Sequence, residues 1–95
     1  MLLKYPRPKK GETRWYVYAH PDGKTQHIWR VKITDARRAE AEYVVDEVLI
    51  DKGPMPRAAP GDKSTISYIN RLPDSVLEAK KLFVHLSFSR GVARE

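Results

Sequence analysis

Apolar and polar residues alternate along two neighbouring segments near the start of the chain. The first segment runs over 14–20 and the second over 26–33. Period-two alternation is typical of β-strands that bury one face. Between them, Pro21-Asp22-Gly23 suits a short hairpin loop, because proline presets φ and glycine adopts left-handed conformations. The pattern predicts an antiparallel β-hairpin over these two segments, with room for a third strand elsewhere in the chain.

The expected hairpin register places Trp15 opposite Trp29 and Val17 opposite His27. One face then forms the core side and carries Trp15, Val17, Ala19, Trp29, Val31 and Ile33. The other face presents aromatic and basic side chains to solvent, namely Arg14, Tyr16, Tyr18, Ile28, Arg30 and Lys32. This face is the main sequence clue to function.

Residues 35–50 predict a helix that Thr34 or Asp35 caps and that ends before Gly53. Its apolar residues form two stripes on nearly opposite sides, which indicates contact with two surfaces. The second stripe includes Tyr43 and Ile50, which could face a second helix, a second subunit or another protein. A homodimer is therefore compatible with this pattern.

The last third of the chain predicts a loop, an ambiguous segment and a helix. Residues 53–62 contain three prolines and two glycines and predict a loop, whereas residues 63–72 fit either a strand or a short helix, with the strand favoured. Ser75 and Glu78 form a capping box that begins a helix over 74–88. The fold class expected from these elements is α+β, with a small antiparallel sheet packed against two helices, 35–50 and 74–88.

Composition narrows the protein class. The 95 residues suit a single domain, 1–95, and 41% hydrophobic residues suffice for a folded core. The chain contains no cysteine, which argues against a disulfide-stapled secreted scaffold. We expect a cytoplasmic protein, because neither a signal peptide nor an apolar run of membrane-spanning length is visible.

Charge is distributed unevenly along the chain. The formal net charge is +6, and residues 1–14 hold five basic groups against one acid. Residues 1–13 predict a basic N-terminal arm, whose composition allows it to be mobile. Solubility alone can explain a moderate positive charge, but this asymmetry also suits a polyanionic partner.

Aromatic rings interleaved with cations are typical of nucleic-acid-binding surfaces, because rings stack on bases and cations neutralise phosphates. The sequence therefore predicts a non-catalytic protein that binds DNA or RNA, without metal or cofactor. The residues expected to carry this binding are Arg7, Lys9, Lys10, Arg14, Tyr16, Tyr18, Arg30 and Lys32. The alternative is a small phage- or plasmid-type accessory protein that binds and inhibits a host protein through Tyr43 and Ile50.

Two segments resemble known DNA-binding modules. The order of hairpin and alanine-rich segment over residues 13–49 resembles the arm-site DNA-binding domains of phage-type integrases, which implies that the sheet contacts DNA. Residues 61–76 resemble the recognition helix and following Leu-Pro turn of partition-protein helix-turn-helix domains. That second resemblance implies that the groove-contacting residues are Lys63, Ser64, Ser67, Tyr68 and Asn70.

Overall fold

The computed structural model describes residues 5–19, 24–53, 58–67 and 72–93, with side chains in the last range described as far as residue 86. The elements in chain order are β1 (Thr13–Ala19), β2 (Gln26–Ala36), β3 (Glu40–Lys52), β4 (Lys63–Ser67) and α1 (Val76–Ala93). The strands form one antiparallel sheet in the order β1-β2-β3-β4. The α+β class is confirmed, but one of the two expected helices is a strand. No helix in the described ranges combines the length and apolarity needed to cross a membrane.

The β1–β2 hairpin forms as predicted, but its register was wrong by one residue. Tyr16 lies opposite Trp29 and Val17 opposite Ile28. A slip of one residue exchanges the faces of one strand relative to the other. Tyr16, rather than Trp15, therefore shares a face with Trp29, and their rings stack with centroids 4.7 Å apart.

The helix predicted over 35–50 is wrong. In its place, β2 continues to Ala36, a three-residue turn follows, and β3 begins at Glu40. The Arg37 amide closes this turn by donating to the Glu40 carbonyl oxygen at 2.8 Å. The turn contains no glycine or proline, so the usual sequence signal for a hairpin is missing.

Irregular pairing explains why β3 resembles a helix in sequence. The β2–β3 register shifts between Ile28 and Trp29 and again between Arg30 and Val31, so β3 carries an extra residue at each shift. As a result, the residues opposite Val31, Trp29 and His27 are Val45, Val48 and Asp51. Their spacing of three imitates one face of a helix, although it arises from β-bulges.

The sheet has apolar clusters on both faces. The groove-side cluster consists of Trp29, Val31, Ile33, Ala41, Tyr43, Val45 and Leu72. The helix-side cluster consists of Val17, Ile28, Ala79 and Leu82, with Tyr5, Trp15, Ile50, Phe83 and Leu86 packed against it. The face that carries the first cluster is called the groove-side face, because an open groove lies on it. The opposite face is called the helix-side face, because α1 packs on it.

The helix α1 covers the β1 end of the helix-side face. Ser75 caps it as predicted, since its Oγ accepts from the Glu78 amide at 3.1 Å. Of the expected apolar stripe, Ala79 and Leu82 are buried, whereas Val76 is 46% exposed. The helix begins at Val76 and continues to Ala93, further than the predicted end at 88.

The secondary structure of residues 63–72, which the sequence left open, is determined for the part that the structure describes. Lys63–Ser67 is a strand, so the favoured interpretation is confirmed there and the recognition helix implied by the second resemblance is wrong. Residues 68–71, which include Tyr68 and Asn70, lie outside the described residues. The resemblance to integrase arm-binding domains is likewise limited to the hairpin, because β3 replaces the helix expected after it.

Candidate nucleic-acid interface

The residues predicted to bind nucleic acid do not share one surface. In the observed register, Arg30 and Lys32 lie on the helix-side face, beyond the part that α1 covers. Tyr16 lies on the groove-side face. Arg14 and Tyr18, which are two residues before and two residues after it on β1, share that face. The predicted single platform of rings and cations is therefore split by the sheet.

Arg14 has an internal role. Its side chain is 1% exposed, and Nη1 donates to the Leu72 carbonyl oxygen at 2.9 Å. Nη2 lies 3.0 Å from Oε1 of Glu12, which compensates the buried charge. Arg14 thus joins β1 to the segment before α1 and is not available to a phosphate.

Most carboxylates of the described residues are engaged within the protein. Arg37 alone contacts Asp35, Glu40 and Glu42, at distances between 2.9 and 3.2 Å. The hydrogen bond with Asp35, followed by the charge of Glu42, raises the pKa of Arg37 above its usual value. Further pairs join Glu47 to Arg30, Glu12 to Arg14, Asp51 to His27 and Glu78 to Lys81. These carboxylates therefore have partners within the protein, although the Arg37 cluster, with one cation and three carboxylates, keeps a net negative charge.

Two exposed lysines lie in one row across the sheet. Lys32 on β2 is opposite Val44 on β3, and Val44 is opposite Lys63 on β4. Adjacent strands are about 4.8 Å apart, so the two lysine backbones are separated by about 10 Å. Within the described residues neither lysine has an ion pair. We call Lys32 and Lys63 the lysine row.

The described part of the basic arm ends beside this row. The Gly11 amide donates to the Ile33 carbonyl oxygen at 2.7 Å, and Thr13 lies opposite Lys32. Lys9 and Lys10 are exposed in the turn that precedes this contact. The Arg7 guanidinium instead donates to the Arg38 carbonyl oxygen. The turn thus extends the positive edge of the sheet at its β1 end.

An open groove of about 390 Å³ occupies the other face. Three aromatic side chains, the loop before β4 and β4 itself surround it. Its lining residues are Tyr16, Trp29, Tyr43, Val45, Ala58, Asp62, Lys63, Ser64, Thr65 and Ile66. Lys63 therefore belongs both to the lysine row and to the wall of this groove.

The aromatic residues of the groove differ in accessibility. Trp29 is 4% exposed and Tyr43 is 5% exposed, whereas Tyr16 is half-buried. The Tyr16 and Trp29 rings are nearly parallel, at 14°, and the Tyr43 ring centroid lies 6.2 Å from that of Tyr16. Burial raises the pKa of Tyr43, and a hydrogen bond with Ser64 acts in the opposite direction. Tyr16 is the ring that an incoming ligand can reach.

A buried polar network supports the floor of the groove. His27 has no exposed surface, and its Nδ1 lies 2.7 Å from Oδ1 of Asp51. The same carboxylate accepts from Nε1 of Trp29 and from the Ala58 amide, both at 3.4 Å. Asp51 therefore holds β2, β3 and the loop before β4 together. The described residues contain no cluster of side chains suited to a metal ion.

The residues expected at a protein interface pack against the apolar clusters of the sheet. Tyr43 belongs to the groove-side cluster, whereas Ile50 packs against the helix-side cluster. Their common stripe was a consequence of the helical interpretation and is wrong, because the sheet separates them.

Sequence reasoning missed the place of Trp29 in the groove and the alignment of Lys63 with Lys32 in one row across the sheet. Lys63 was named from the sequence only through the helix-turn-helix resemblance, which implied that this residue lies in a recognition helix instead of a strand. The aromatic residues of β1 and β2 were evident in the sequence, but the register that places Tyr16 opposite Trp29 was not. Comparison with protein-family models, curated proteins and solved structures finds no match to this chain.

Proposed function

We propose that this chain is a non-catalytic nucleic-acid-binding domain, for DNA or RNA. Its contact surface is the part of the helix-side face that α1 leaves open. The observation that carries the proposal is the lysine row: Lys32 and Lys63 are exposed and unpaired in the described structure, while the neighbouring carboxylates are held by arginines.

Phosphate neutralisation gives such a surface its affinity. A nucleic acid carries a condensed layer of counterions, and each lysine that replaces one releases it to solution. The entropy of that release favours binding and weakens as salt concentration rises. Unpaired lysines serve this purpose best, because they need not break an existing ion pair.

The predicted residues have unequal parts in this proposal. Lys32 and Lys63 provide the central contacts, and Lys9 and Lys10 extend them past β1. Arg30 contributes less, because its guanidinium lies 3.0 Å from Glu47. The His27–Asp51 pair is enclosed by the protein and has no part in binding.

The test is the salt dependence of binding by a variant in which Lys32→Gln and Lys63→Gln are combined. Affinity for a labelled duplex and a labelled single strand is measured by fluorescence anisotropy across a range of salt concentrations. Loss of two phosphate contacts should lower the slope of log K against log salt by about 1.8 for duplex and about 1.4 for single strand.

The matched control combines Lys52→Gln with Lys80→Gln. Both lysines are exposed, one at the end of β3 and the other on α1, so the net charge changes equally. The control should retain the parent slope. Equal slopes for the two double variants would contradict a contact at the lysine row, and absence of nucleic-acid binding by the parent protein would refute the function.

The rival proposal is a cytoplasmic phage or mobile-element accessory protein that inhibits a host protein. It has less support, because Tyr43 and Ile50 pack into the two interior clusters instead of forming an exposed patch. A cytoplasmic location suits both proposals.

A further inference from the structure

We infer that the aromatic groove accepts an unpaired nucleobase, so that this chain prefers single-stranded nucleic acid to duplex. This inference rests on the proposed function and adds the form of nucleic acid that it selects. It is carried by the meeting of two features at β4: Lys63 ends the lysine row on one face and lines the groove on the other.

The groove offers a flat aromatic surface that is already held in place. Tyr16 is backed by Trp29, with ring centroids 4.7 Å apart and an angle of 14° between the ring planes. The Asp51 carboxylate accepts a hydrogen bond from Trp29 and so fixes the Trp29 ring, on which Tyr16 stacks. A base can therefore stack on Tyr16 without ordering a mobile side chain first.

The rim of the groove supplies polar groups for the edge of a base. Ser64 brings a hydroxyl from β4 on the same face as Tyr43, and Asp62 lies just before that strand, where its carboxylate accepts from the Ala59 amide at 2.9 Å. A second depression of about 320 Å³ shares Tyr43, Lys63, Ser64 and Thr65 with the groove and is also lined by Thr34 and Glu42. Lys63 lines both depressions, so a backbone that contacts Lys63 lies next to the groove that contains Tyr16.

A duplex cannot use this arrangement. Its bases are stacked and paired, so only its phosphates reach the lysine row. Insertion of a base into the groove requires an unstacked nucleotide, which a single strand provides at little cost.

The geometry favours a base over a cationic ligand. Rings that enclose an ammonium group present several faces to it, but here Tyr16 and Trp29 cover each other. Lys63 and Asp62 in the wall carry opposite charges, so the wall gives a cation no net attraction. A proline-rich peptide would suit an aromatic groove, yet it gives no role to the lysine row.

The experiment uses the full chain with Trp15→Phe, which leaves Trp29 as its single tryptophan. Oligothymidylate or a duplex of equal length is added at low salt, and Trp29 fluorescence and affinity are recorded. We expect the single strand to quench Trp29 and the duplex to leave it unchanged. Tyr16→Leu should weaken single-strand binding about tenfold, the value of one stacked base, and leave duplex binding unchanged.

Two further variants separate stacking from misfolding. Tyr16→Phe retains the ring and should keep the parent affinity for the single strand. Tyr18→Leu is the matched control, because Tyr18 is half-buried on the same strand and face but does not line the groove. It should also keep the parent preference for single strand.

The two proposals fail in different ways. If Lys32→Gln with Lys63→Gln weakens both nucleic acids but Tyr16→Leu behaves like Tyr18→Leu, the function stands and the base-binding groove is refuted. Equal affinity for single strand and duplex in the parent refutes it as well. If neither nucleic acid binds the parent protein and only a proline-rich peptide quenches Trp29 in a manner that depends on Tyr16, both proposals fall.

Discussion

Tyr43 connects the core of the sheet to the groove. Its ring belongs to the groove-side cluster, and its hydroxyl forms a hydrogen bond with Ser64 on the neighbouring strand. Burial disfavours the phenolate and raises the pKa of Tyr43 above its ordinary value, and the negative charge of an ionised Tyr16 would raise it further. Tyr43 therefore stays neutral over the physiological range.

This shift makes folding sensitive to alkaline pH. The folded protein holds the Tyr43 proton more tightly than the unfolded chain, so the resulting stability is complete below about pH 10 and is lost as pH rises through the folded-state pKa. We expect Tyr43→Phe to lose less stability than the parent between pH 9 and 11, measured by urea denaturation. Some loss should remain, because burial also raises the pKa of Tyr5. An equal loss in parent and variant would contradict the assignment to Tyr43.

The elements show how strongly β3 depends on its neighbours. Its sequence begins with alanine and glutamate, which favour helices, but pairing with β2 on one side and β4 on the other supplies its hydrogen bonds as a strand. The end of β3 is equally constrained. Gly53 has φ +102°, and a Cβ there would meet the Lys24 carbonyl oxygen and approach Thr25 Cα at 2.6 Å.

Gly53→Ala should therefore destabilise the fold through both its backbone and its contacts. Left-handed backbone costs a non-glycine residue about 1–2 kcal/mol, and overpacking against Lys24 and Thr25 adds about 1–3 kcal/mol. Gly61→Ala is the matched control, since Gly61 has φ +96° with nothing within 4 Å of the added Cβ. We expect a clearly larger fall in the free energy of unfolding for Gly53→Ala, measured by thermal and urea denaturation. Similar losses would show that the contact of the added Cβ with Lys24 and Thr25 relaxes without cost.

At the scale of the whole molecule, one sheet carries two separate apolar clusters. Ile33 lies in the groove-side cluster and Leu82 in the helix-side cluster, and both are fully buried. The clusters lie on opposite faces, so they share the backbone of the sheet but not their side-chain contacts. We expect them to unfold together, because neither face is stable without the strands.

This arrangement predicts additive effects of mutations in the two clusters. Ile33→Val should cost about 0.5–1.5 kcal/mol and Leu82→Ala about 2–5 kcal/mol. The combined variant should equal their sum within about 0.5 kcal/mol, with a single unfolding transition. Separate transitions for tryptophan fluorescence and far-ultraviolet circular dichroism would instead indicate two independent units.

The aromatic residues of β1 show why the register was beyond sequence reasoning. Trp15 and Val17 face α1, while Tyr16 and Tyr18 face the groove side, so both faces of the strand carry large side chains. Alternation identifies the buried face only when the other face is polar. The groove could not be predicted for the same reason, because Tyr16 and Trp29 stack only in the observed register.

The amino-acid sequence by itself determined the features that depend on nearby residues: the two hairpin strands, the described loop residues 58–62 before β4, and the Ser75 cap that begins α1. Only the tertiary structure decided that residues 40–52 form a strand, that Tyr16 stacks on Trp29, and that Lys63 aligns with Lys32. The physical reason is that strand pairing and bulges depend on hydrogen bonds and packing between residues far apart in the chain. Local preference cannot specify those partners.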